Sequence, residues 1–97
     1  MGLRPIKFRI LELFLDEKAH WNYEIVSKIQ NEYDMQGNFK RDSINFDILE
    51  LASGGMLKDV EQKVDEEGIY KQGFLLHRYM ITDFGKTRSS DACLRYV

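Results

Sequence analysis

What this chain lacks narrows its possibilities first. It has a single cysteine, Cys93, in 97 residues, so no internal disulfide can form and a reducing compartment is expected. That thiol and the two histidines, His20 and His77, lack the paired spacing of a zinc site, which argues against a structural metal. No apolar run approaches the roughly 20 residues needed to cross a bilayer. The start, Met1 to Pro5, has neither the apolar region nor the cleavage site of a signal peptide, and Gly2 lacks the Ser or Thr spacing of a myristoylation signal. A cytoplasmic location is the expectation. There is no Gly-rich phosphate loop, nucleophile elbow or paired-His motif, so catalysis has no constellation and no cofactor is expected. A basic excess is missing too: 14 Lys and Arg against 16 Asp and Glu leave a net charge of −2. A strong non-specific nucleic-acid binder carries a positive surplus, so any such role must rest on local clusters.

What is present reads as one domain with a modest core. Pro5 suits a first helical position, and Ile6, Ile10, Leu13 and Phe14 recur at helical spacing, predicting a helix over 5–16 with Leu11 and Leu15 widening its stripe. Asn22 is a good N-cap with Glu24 in the first turn, starting a second helix that runs to about Tyr33. A full capping box counted from Asn22 is absent, because Ile25 holds the third position. Residues 34–38 are a turn by composition. A third helix is expected from about Arg41 to Ser53, with Ile44, Ile48 and Leu51 inward, ended by Gly54-Gly55 with one glycine in the left-handed cap. Met56 to Val64 and Phe74 to Thr82 read as paired strands, too far apart for a two-residue turn. Thr82-Asp83 opens a closing helix, weak over Lys86 to Val97 because Gly85, Ser89 and Ser90 are poor interior residues. The expected class is α+β, mostly α, over 1–97: three helices, a two-stranded β wing and a short C-terminal helix.

Three motifs carry a resemblance. Asn22-Tyr23-Glu24-Ile25 opens the second helix. Ile44 through Leu51 leads to Gly55-Met56-Leu57. Tyr79-Met80-Ile81-Thr82-Asp83-Phe84-Gly85 ends the second strand. Together, over roughly residues 6–90, they resemble the winged helix-turn-helix transcriptional regulators, most closely the PadR-like branch. Two departures stand out: Asn22 replaces the usual Gly, and the chain has no room for that family's long C-terminal dimerisation helix. The resemblance implies a DNA-binding regulator whose third helix enters the major groove while the wing meets the backbone.

On that reading Lys40 and Arg41 are phosphate contacts at the helix start, and Ser43 and Asn45 have groups that read base edges. Lys71 and Arg78 are the wing's backbone contacts, and Arg4, Lys7 and Arg9 form a second basic patch. A solvated helix start is the plainer reading of Lys40 and Arg41. Two bases face three acids over 40–51, and Lys58, Lys63 and Lys71 face Asp59, Glu61, Asp65, Glu66 and Glu67 in the wing. Carboxylates repel phosphate. Double-stranded DNA is the expected partner, bound by a homodimer joined through Leu11, Leu15, Leu94 and Tyr96. The alternative is a winged-helix protein-interaction module without DNA binding, which would use a Phe46 and Leu49 strip or the wing. A third helix more deeply buried than this would instead hide Phe46. Trp21 reads as a packed aromatic.

Overall fold

The computed structural model describes residues 5–96, with side chains described for 5–89. Its elements are α1 (Ile6–Leu13), β1 (His20–Trp21), α2 (Asn22–Tyr33), α3 (Asn38–Ser53), β2 (Leu57–Val64), β3 (Leu75–Ile81) and α4 (Asp83–Tyr96). The three strands form one antiparallel sheet in the order β1-β3-β2. This is an α+β fold with four helices. No helix among the described residues is long and apolar enough to cross a membrane.

The helical faces converge on one core. Ile10, Leu11 and Phe14 from the α1 region meet Ile25, Val26 and Ile29 of α2, Ile44, Ile48 and Leu51 of α3, and Leu57, Tyr79 and Ile81 of the sheet. Fully burying each such aliphatic side chain contributes about 1.5–3 kcal/mol. Leu11 is therefore a core residue, which removes it from the dimer surface expected from the sequence; Leu15 alone of that α1 pair is exposed. Arg4 and the side chains of Cys93, Leu94 and Tyr96 lie outside the described residues.

Several boundaries differ from the sequence expectation for local reasons. α1 stops at Leu13, earlier than residue 16, with Phe14 as its C-cap packed in the core. At α2 the cap is Trp21, and Asn22 is already helical. The Glu24 carboxylate accepts the Trp21 N–H at 3.0 Å, so the return half of a capping box exists one residue earlier than Asn22 implied. α3 starts at Asn38, because Gly37 at φ +100° lets the chain turn and its carbonyl accepts the Arg41 N–H at 3.0 Å. At the other end Gly55 takes the left-handed conformation at φ +83°. The Gly55 N–H bonds Ala52 O and the Met56 N–H bonds Leu51 O, each at 3.0 Å, which is the paired closure of a Schellman motif.

The Thr82-to-Gly85 segment welds β3, α4 and the start of β2 together. Thr82 Oγ1 accepts the Gly85 N–H at 3.0 Å, capping α4, and donates to Gly55 O at 2.6 Å. Gly85 is required because a Cβ there would lie 2.2 Å from Met56 O. β2 and β3 pair from Leu57 opposite Ile81 to Val64 opposite Leu75, with a bulge between Asp59 and Glu61. β1 was not expected: two residues are too few to show a strand's alternation, and it exists by pairing His20 with Tyr79 and Trp21 with Arg78.

Candidate recognition surface

α3 and the loop 65–74 form one continuous, hydrogen-bonded surface. The loop is organised by one carboxylate. Asp65, only 1% exposed, accepts the backbone N–H groups of Gly68, Ile69, Tyr70 and Lys71 at 2.8–2.9 Å. Burial by itself would raise its pKa, but the four donors outweigh that and hold it below the ordinary carboxylate value. Backbone bonds between Asp65 and Phe74 and between Gly73 and Asp65, both 2.8 Å, close the base of the loop.

That loop is then clamped onto α3. The Arg41 guanidinium sits 4.4 Å above the Tyr70 ring centre and donates to Tyr70 O at 3.1 Å. The Tyr70 hydroxyl donates to Asp42 Oδ1 at 2.7 Å, and Lys71 Nζ lies 3.6 Å from the same carboxylate. The bond from Tyr70, helped by Arg41 and Lys71, lowers the Asp42 pKa despite some desolvation. Burial and the Asp42 bond push the Tyr70 hydroxyl up to about 12. Between helix and loop lies a groove of about 270 Å³, lined by Asn45, Phe46, Leu49, Tyr70, Lys71 and Phe74 with Asp42 at its edge.

The six residues expected to contact DNA are placed as follows. Lys40 and Ser43 are exposed on the first two turns of α3, and their side chains make no hydrogen bond or ion pair among the described residues. Arg41 and Lys71 belong to the clamp, and Lys71 also covers the Phe74 ring at 5.2 Å. Asn45 accepts a 3.0 Å bond from the Asn22 amide, whose oxygen in turn accepts the His77 N–H at 3.3 Å. Asn22 is 3% exposed, so this bridge joins α2, α3 and β3 in the interior. Arg78 pairs with Glu61 at 3.0 Å on the sheet, close to Trp21, and its Nε is buried without a partner. Trp21 itself stacks on Tyr23 under Lys63, at 4.6 Å from its ring centre. Of the second basic patch, Arg9 makes a bidentate pair with Glu32 at 2.7 and 2.9 Å, and Lys7 pairs with Glu50 at 2.9 Å.

The apolar strip is larger than the sequence suggested. Phe46 is 59% exposed and Leu49 is also exposed, while Phe39, two turns earlier on the same face, is 87% exposed. Phe74 faces the strip across the groove. The helical period alone would have flagged Phe39, had α3 been started at Asn38. No arrangement of three or more potential metal ligands occurs among the described residues. Comparison with protein-family models and with curated proteins finds no match for this chain.

Proposed function

We propose that this chain is a winged-helix module whose α3 and wing surface docks a protein. In that reading α2 and α3 are the helix-turn-helix, β2 and β3 the wing, and a cytoplasmic location belongs to the same proposal. The PadR-like motifs support the fold and leave the ligand open. The observation that carries the docking reading is the outward line of α3. Phe39, Phe46 and Leu49 are exposed along it, with Asp42, Asp47 and Glu50 beside them. A helix inserted in the major groove meets phosphate on both sides, and this one would bring acids and bare phenyl rings there. Exposed aromatics around a groove instead match the centre of a protein interface.

A second reading, sequence-specific DNA binding in transcription regulation, is favoured by Lys40 and Ser43, which stand unengaged at an α3 N-terminus where backbone amides attract phosphate. Two measurements separate the readings. Titration with a generic duplex at low salt is expected to show no binding; an affinity that falls steeply as salt rises would overturn the docking proposal in favour of DNA. Displayed random peptides selected on the wild type, with Phe46→Asp as counter-target, are expected to yield sequences with apolar residues at helical spacing. Peptides that ignore the Phe46 change would also overturn it.

A further inference from the structure

We infer that the partner is a second copy of this chain, packed antiparallel through α3 about a two-fold axis at Phe46. The inference rests on the docking reading above and adds the identity of the occupant. Viewed down α3, with about 100° between successive residues, Phe46 is the centre of the exposed face and Phe39 lies almost in line with it. Lys40, Ser43, Asp47 and Glu50 fall on one flank; Asp42, Asn45 and Leu49 fall on the other, toward the wing. The Lys7–Glu50 and Lys71–Asp42 ion pairs confirm this division, since α1 borders the first flank and the loop the second.

A two-fold axis perpendicular to two antiparallel helices keeps each flank facing the same flank of its mate and reverses height along the helix. Lys40, six residues before the centre, then comes beside Glu50 of the second copy, four residues past it. The contact occurs twice. Lys40 is exposed with no ion-pair partner among the described residues, and Glu50 is shared only with an exposed Lys7. Phe46 meets its own counterpart on the axis. On the other flank Leu49 and Phe74 of both copies close over the grooves, while Asp42 stays compensated by Tyr70, Arg41 and Lys71. The helix dipoles oppose one another, which also favours this direction. Lys40 and Glu50 are thus the complementary pair of this arrangement, while Asp47, one residue past the centre, faces its own counterpart.

α3 has 16 residues and so spans about 24 Å, which places the contact at the small end of specific interfaces and makes the dimer weak. Sedimentation equilibrium and light scattering from about 1 to about 500 μM are expected to show a monomer–dimer transition. Phe46→Asp should weaken it about 100-fold, with circular dichroism confirming the fold. Lys40→Glu and Glu50→Lys should each weaken it about tenfold, and the double reversal should restore it to within about threefold. A wild type monomeric throughout the range would overturn the inference, while the peptide selection still decides the docking reading. A dimer indifferent to Phe46→Asp, or a double reversal no better than either single change, would overturn it equally.

Discussion

At Gly85 an added methyl group would sit 2.2 Å from Met56 O and 2.8 Å from Ile81 Cγ1. Neither the backbone oxygen nor the core isoleucine can move freely. Gly85→Ala is therefore expected to destabilise the fold by about 2–3 kcal/mol, lowering the melting temperature by roughly 8–20 °C in a scan. Asn22 is the second single-residue dependence. It occupies the place of a glycine in the resembling family, and here its amide bridges Asn45 and the His77 N–H inside the protein. Asn22→Leu keeps the number of side-chain heavy atoms but leaves both partners unpaired, and denaturant titration should read a loss of about 2–3 kcal/mol. If stability is unchanged, the bridge contributes nothing net.

Among the elements, the loop 65–74 depends on one charge. The folded-state pKa of Asp65 is depressed, so its contribution is complete above the unfolded value of about 3.9 and is lost as pH falls through the lower folded value. Release of the loop is thus expected only below about pH 4, whereas Asp65→Asn should loosen it at neutral pH. The amide resonances of Gly68 to Lys71 report both; shifts insensitive to the substitution would remove Asp65 as organiser. The same loop shows where sequence reading succeeds. Alternation located β2 and β3 to within a residue at each end, and the glycine pair after α3 announced its left-handed cap. Each of those signals is local. The bonds that decide how the site is used are not: Arg41 reaches Tyr70 across 29 positions and Asn22 reaches Asn45 across 23. Charge and residue type marked Arg41, Asn45, Lys71 and Arg78 as available, and only the tertiary contacts reveal that they are already engaged.

For the whole molecule, alkaline pH is the informative stress. Tyr70 and Tyr79 both titrate near 12 instead of 10, the first through burial and Asp42, the second through burial and Asp59. A raised folded-state pKa means their stabilisation is intact below pH 10 and drains away as pH climbs toward 12. Tyrosinate absorbance and circular dichroism are expected to change together in that window. Two tyrosines ionising near pH 10 with the fold intact would refute this. The bulge at Val60 bears on a different hazard. β2 is an edge strand of the sheet, and its outer side is a row of backbone groups able to recruit another chain. The extra residue kinks that row, and Lys58 and Lys63 hold charge along it. Deleting Val60 would straighten the rim while leaving Glu61 opposite Arg78 and every later pair of β2 in its present register. A ribbon that now ends at its own border would become a seed for cross-β growth.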